Sequence, residues 1–274
     1  MRIARFAAAL GALSLTAGAV SAQSEGIAEM KGTVHSERGE SIALQTKAWV
    51  GKAGSRIETT TDLSQIAGRS DRSAAGMPAR HTEVFLYRAA EPGVTYLLNV
   101  DRKTYSTFQA PTGETAEGKA AEPYTVTKLG RDSVAGYSCE KALVKRPSAR
   151  DEVEVCVAKD LGASGAWLDA MSRRQRGGSM FKALTDAGLT GFPVRWIVRR
   201  SGEKDALSTL ELTRFERTSV PASTFEIPAG YKKVSGYDTH MTPEQEEAMK
   251  KAMENMTPEQ RKQFEEMMKK QKEN

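Results

Sequence analysis

The chain has 274 residues, of which 27% are charged, 39% apolar and 7% aromatic. These proportions belong to a polar globular protein and exclude the collagen-like, multi-span membrane and disulfide-dense miniprotein classes. A formal net charge of +5 is mild for this length and gives no argument for nucleic-acid binding.

Residues 1–22 read as a secretory signal peptide. Arg2 and Arg5 supply the positive start, Phe6 to Val20 the short apolar run, and Val20-Ser21-Ala22 the small-residue cleavage site. The run is short for a membrane span, and no later stretch is long and apolar enough for one. Cleavage after Ala22 leaves 252 residues and, without the two arginines, a net charge of +3. The expected location is the periplasm, with release to the medium as the alternative.

Residues 23–108 read as consecutive antiparallel strands. Ala28 to Ser36, Ile42 to Val50, Arg56 to Thr61, His81 to Arg88, Val94 to Asn99 and Lys103 to Phe108 are short runs about ten residues apart. Glu91-Pro92-Gly93 and Asp101-Arg102 are turn signals between them. Residues 62–80 look like an insertion, and 109–123 have linker composition. A second β stretch holds Tyr124 to Leu129, Tyr137 to Val144 and Val153 to Ala158.

Residues 160–190 change to helical spacing, over Ala166 to Arg174 and Met180 to Ala187. Trp167, Leu168 and Met171 form an apolar patch on the first of these. Gly191-Phe192-Pro193 then opens a strand over Val194 to Arg199, which carries Trp196 and Ile197. Ala206 to Arg217 alternates as another strand, and Ser223 to Ile227 closes the β domain near residue 237.

The tail, residues 238–274, is Met-rich and contains a repeat of period 15. Met241-Thr242-Pro243-Glu244-Gln245 recurs as Met256-Thr257-Pro258-Glu259-Gln260. In each copy Thr is an N-cap, Pro fits the first helical position, and Gln completes a capping box. Two helices are expected, about 243–255 and 258–271. Met249, Met253 and Met256 form an apolar stripe on the first, and Phe264, Met267 and Met268 on the second. These stripes are candidate partner-binding surfaces, since Met adapts to varied apolar partners. Soft-metal binding by Met253 and Met256 is the lesser alternative.

Cys139 and Cys156, an even count in an exported chain, point to one disulfide. In a hairpin with Cys139 facing Cys156, the turn falls at Pro147-Ser148 and Lys141 faces Glu154. Ala142, Val144, Val153, Val155 and Val157 then share an apolar face. The pair has no C-x-x-C spacing and no basic activator, so it reads as structural.

No catalytic motif is found. His35, His81 and His240 have no metal-ligand spacing, and the two S-x-x-K matches, at Ser138 and Ser201, lack the motif's usual partners. No metal or cofactor is expected. Arg173, Arg174 and Arg176, with Arg195, Arg199 and Arg200 on the strand that follows, offer either an anion-binding cluster or a solvated edge.

Lys128 to Lys141, containing Gly130-Arg131-Asp132-Ser133-Val134-Ala135-Gly136-Tyr137-Ser138-Cys139, resembles a recurring segment of an exported bacterial family catalogued as a domain of unknown function. Gly191-Phe192-Pro193-Val194 and Pro221-Ala222-Ser223-Thr224-Phe225-Glu226-Ile227-Pro228-Ala229-Gly230-Tyr231 resemble its other pieces. The resemblance covers roughly 28–233. It implies an architecture similar to the lipoprotein carriers LolA and LolB: a mainly β, curved antiparallel half-barrel with helices over its concave face. It brings no catalytic residues. The tail resembles helices of Spy-type periplasmic chaperones.

The expected function is therefore non-catalytic binding of an apolar or amphipathic ligand, a lipid or lipoprotein acyl chain, in a concave sheet. Trp167, Leu168, Met171, Trp196 and Ile197 are the candidate lining, with mutual packing of the same side chains as the alternative. The rival function is a chaperone or envelope-stress module that binds an envelope protein through the tail.

Overall fold

The computed structural model describes residues 25–35, 39–64, 79–109, 122–162 and 180–234, with 247, 251, 254–257 and 259–260 of the tail. Twelve strands are Gly26–His35 (β1), Ser41–Gly51 (β2), Gly54–Asp62 (β3), Arg80–Arg88 (β4), Val94–Asn99 (β5), Thr104–Gln109 (β6), Thr125–Val134 (β7), Tyr137–Lys145 (β8), Asp151–Ala158 (β9), Phe192–Arg200 (β10), Ala206–Arg217 (β11) and Lys232–Lys233 (β12). Met180–Asp186 is an α-helix (α1). The strands make one unclosed, curved sheet in the order β12-β6-β5-β4-β3-β2-β1-β11-β10-β9-β8-β7, the half-barrel expected from the sequence. Hairpins account for most neighbours. The pairing of β1 with β11 joins the two ends of the β domain, and the short parallel pairing of β12 with β6 extends one edge.

Period-two alternation sets the faces. In β1, Ala28 and Met30 are buried while Glu29 and Lys31 are not. Ala28, Ala48, Ile57, Phe85 and Leu97 stand directly opposite one another across β1–β5 and are all buried. Leu161, Phe192, Val194 and both cysteines join the same core. The face with Ala28 and Ile57 is called the inner face below.

The reverse face of β4 and β5 is buried as well. Val84, Leu86, Tyr96 and Leu98 pack with Ile227 and Tyr231 of the segment that follows β11. Strands buried on both faces read as near-continuous apolar runs, as Val84–Tyr87 and Tyr96–Leu98 do.

The disulfide forms between Cys139 and Cys156, with Cα atoms 5.4 Å apart. Its register differs from the expected one by two residues: Cys156 stands opposite Lys141, not Cys139. The Arg146–Ala149 turn closes around Pro147-Ser148, with the Ala149 N–H donating to the Arg146 carbonyl at 3.0 Å. The Arg150 carbonyl, however, accepts from Ser201 N–H at 2.7 Å, so pairing with β8 resumes only at Glu152. A shift of two keeps every side chain on its face, and the apolar set Ala142, Val144, Val155 and Val157 survives. The Lys141–Glu154 ion pair does not: Lys141 meets Asp132 at 3.7 Å and Glu154 meets Arg199 at 3.1 Å.

The closing segment is a 3-10 turn, Ala222–Phe225. Pro221 and Pro228 cannot donate to a ladder, and Glu226 N–H is taken by the Ser223 carbonyl at 3.2 Å. β7 runs past Leu129 to Val134, because a bulge with Gly130 at φ 103° lets the strand continue. The expected helix over Ala166 to Arg174 and residues 65–78 of the expected insertion 62–80 lie outside the described residues, while Asp62 ends β3 and Arg80 begins β4. In the tail, the second capping box is formed: Gln260 N–H donates to Thr257 Oγ1 at 3.3 Å and Thr257 N–H to Gln260 Oε1 at 3.0 Å.

Candidate ligand-binding face

An apolar strip crosses the inner face where no bulge interrupts the ladders. One row runs Leu44 (β2), Gly32 (β1), Leu210 (β11), Trp196 (β10), Val155 (β9) and Ala142 (β8), each opposite the next. The second runs Ile42, Val34, Ser208, Val198, Val153, Val144 and, on β7, Val126. Six strand spacings make the strip roughly 29 Å long. At Gly32 a Cβ would lie 1.9 Å from the Thr209 carbonyl oxygen, so only glycine fits between Leu44 and Leu210.

The two ends of the strip differ in cover. At the β8–β10 end, α1 lays Met180, Phe181 and Leu184 on Ala142, Val144 and Val155. Phe181 stacks on Trp196 with centroids 5.8 Å apart. At the other end Ile42, Leu44, Val34 and Leu210, on β2, β1 and β11, are only half-buried, and so are Val198 and Val153 in the second row. Such a surface, apolar and neither sealed nor fully wet, is the chemistry of a site for an apolar chain.

Of the lining residues expected from the sequence, Trp196 lies on this strip. Ile197 does not: it stands opposite Thr209 and Glu154 on the reverse face. Trp167, Leu168 and Met171 lie outside the described residues, as do Arg173, Arg174, Arg176, Met249, Met253, Phe264, Met267 and Met268. Met256 is half-buried in the tail. Leu44, Val34, Ile42, Leu210 and Val198 are members of the strip that sequence reasoning missed, although their period-two spacing is visible there.

Behind the strip the sheet is charged. Arg195 is the hub, with Nη1 donating to Asp132 Oδ2 and Nε to Glu211 Oε2, both at 2.8 Å. The Ser133 N–H and then the Arg195 guanidinium hold the Asp132 carboxyl below the usual carboxylate range. Arg199 is likewise matched by Glu154. These two arginines of the expected cluster are thus committed to carboxylates.

A second concavity lies on the reverse face, an open groove of about 410 Å³ between Trp49, Arg56 and Glu58 and the segment Ser223 to Ala229. Arg56 Nε donates to Glu58 Oε1 at 2.7 Å. Arg88 holds this closing segment: Nε donates to the Phe225 carbonyl at 3.1 Å and Nη1 to Glu91 Oε1 at 3.1 Å, while Tyr96 Oη also donates to Glu91. Among the described residues no group of three or more His, Cys, Asp or Glu is placed to hold a metal ion. None of their helices is long and apolar enough to cross a membrane.

The model of the family described as a domain of unknown function, DUF4412, matches residues 25–231. No curated protein matches the sequence. Among solved structures, an uncharacterized conserved protein from Thermus thermophilus is similar at 9% identity, with a TM-score of 0.43, over 78% of this chain and 91% of its own. A chain of the Pseudomonas aeruginosa MucA/MucB complex is similar at 12% identity and a TM-score of 0.38, over 78% of this chain and 59% of its own. A LolA superfamily protein from Nitrosomonas europaea is similar at 10% identity and a TM-score of 0.31, over 75% of this chain and 91% of its own. These likenesses concern the fold alone.

Proposed function

The chain belongs to the DUF4412 family, and we propose that it is a non-catalytic protein of the bacterial envelope that binds a lipid or lipoprotein acyl chain on the inner face of its half-barrel. The observation that carries this reading is the strip itself, in which paired apolar side chains stay half-buried from Ile42 and Leu44 to Val198 and Val153. Completing the burial of one such side chain is worth about 1 kcal/mol. A handful supplies several kcal/mol, offset in part by the cost of association. Residues 1–22, read as a signal peptide, bring such a protein to the compartment where lipid and lipoprotein are in transit.

Purification from the native envelope, followed by solvent extraction and mass spectrometry, tests this. Lipid at a fixed ratio to protein is the expected result. A protein that co-purifies with polypeptide and no lipid would contradict the reading and favour a protein-binding role.

A further inference from the structure

The inner face does not stay apolar. Beyond β2 the same uninterrupted register passes into hydroxyl, imidazole and amide groups. Leu44 stands opposite Thr61, and Thr61 opposite His81. In the next row Thr46, Thr59, Glu83, Asn99 and Thr104 follow one another across β2–β6. The Thr46 and Thr59 hydroxyls share a hydrogen bond at 3.1 Å, and His81 Nε2 lies 3.8 Å from Glu83 Oε1. Thr59, Thr61, His81 and Glu83 are half-buried and so within reach of a ligand.

Deeper in, on β6, Thr104 is 8% exposed and Ser106 1%. Both hydroxyls are buried without a hydrogen-bond partner among the described residues. A buried hydroxyl left unpaired costs about 1–3 kcal/mol, so Thr104, which ends the polar row, points to a polar group that arrives on this face.

We propose that the ligand of the apolar strip carries an uncharged, hydroxyl-bearing head that lies over Thr59, Thr61, His81, Glu83, Asn99 and Thr104, while its chain lies along Leu44, Val34, Leu210 and Val198. The inference rests on the lipid reading above and adds the head group to it. Threonine hydroxyls both donate and accept, as do the hydroxyls of such a head, while Asn99 Oδ1 already accepts from the Arg102 N–H at 3.1 Å and holds the end of the row in place. The charges set against this row favour neutrality. Glu83 faces the head, Asp101 acts on His81 through space, and His81 is already drawn to Glu83. An anionic head would meet the Glu83 carboxylate without an arginine or lysine in either row.

Two amphipaths with one twelve-carbon chain and different heads test this by isothermal titration, each below its micelle concentration. They are 1-monolauroylglycerol and dodecyl phosphate. Monolauroylglycerol is expected to bind at least tenfold more tightly. Glu83→Gln should narrow that preference at least threefold, and Leu210→Glu should abolish binding of both. Ile42→Asp, at the strip's end, replaces Leu210→Glu should that variant not fold. Equal affinity for the two probes, with both lost in Leu210→Glu, would overturn the head assignment and leave the strip reading standing. Tighter binding of dodecyl phosphate would also overturn it. Failure of both probes to bind would overturn the strip reading itself.

Discussion

Phe181 of α1 stacks on Trp196 of β10 at an interplanar angle of 30°, which fixes the helix over one end of the apolar strip. Its described residues, Met180–Asp186, bury one face against the sheet. Its place therefore depends on the side chains it buries, Met180, Phe181 and Leu184. Phe181→Ala is expected to lower the stability measured by denaturant unfolding by about 3–5 kcal/mol. A double-mutant cycle with Trp196→Ala should show coupling of about 0.5–1.5 kcal/mol. Additive effects would mean that the two rings contribute independently.

The Cys139–Cys156 link closes a 17-residue separation, for which the chain-entropy model gives about 3 kcal/mol. The double substitution Cys139→Ala with Cys156→Ala should lower stability by that order, and thiol titration of the native protein should find no free cysteine. Two reactive thiols in oxidised material would contradict the pairing.

Arg88 ties the segment after β11 to the β4–β5 hairpin through the Phe225 carbonyl and Glu91. Its guanidinium also lies 5.2 Å from the centre of the Tyr96 ring. Arg88→Ala should cost about 1–3 kcal/mol, since the partners lose charge-assisted hydrogen bonds. Faster amide exchange confined to 221–234 is the accompanying sign. Uniform exchange across the sheet would show that Arg88 supports the fold more generally.

His81 accepts stabilisation from Glu83, whose carboxylate pairs with the imidazolium and raises its titration above the ordinary histidine value. The folded state then holds the proton more tightly than the unfolded chain. The resulting stabilisation is present below the ordinary value, near pH 6.5, and is lost as pH rises through the raised folded value. An NMR titration should place His81 above the ordinary value in the wild-type protein and lower it in Glu83→Gln. An unchanged midpoint would remove Glu83 as the cause.

Local pattern carries much of this fold. The alternation of Ala28, Met30 and their charged neighbours marks β1, and the turn residues Pro92-Gly93 and Pro147-Ser148 mark hairpins. Three features need more than local pattern. The pairing of β1 with β11 joins residues about 180 positions apart, so the row Leu44–Gly32–Leu210–Trp196 exists only once that ladder forms. The Cys139 register depends on Arg150 leaving β8 for Ser201, a tertiary choice that the turn itself does not encode. The polar row from Thr59 to Thr104 is equally hidden, because each threonine reads locally as an ordinary strand residue. At Trp196 and Ile197, by contrast, the period of two already separates neighbours onto opposite faces, and grouping them as one lining overlooks it.

Quenching of Trp196 by a bound acyl chain tests the central claim most directly. With Trp49→Phe and Trp167→Phe, Trp196 is the only tryptophan left among the three in the chain. A saturable, strong loss of its fluorescence is expected on adding a fatty acid with a nitroxide on its chain, and Leu210→Glu should remove the effect. A probe that binds the folded protein yet leaves Trp196 emission unchanged would contradict binding on the inner face.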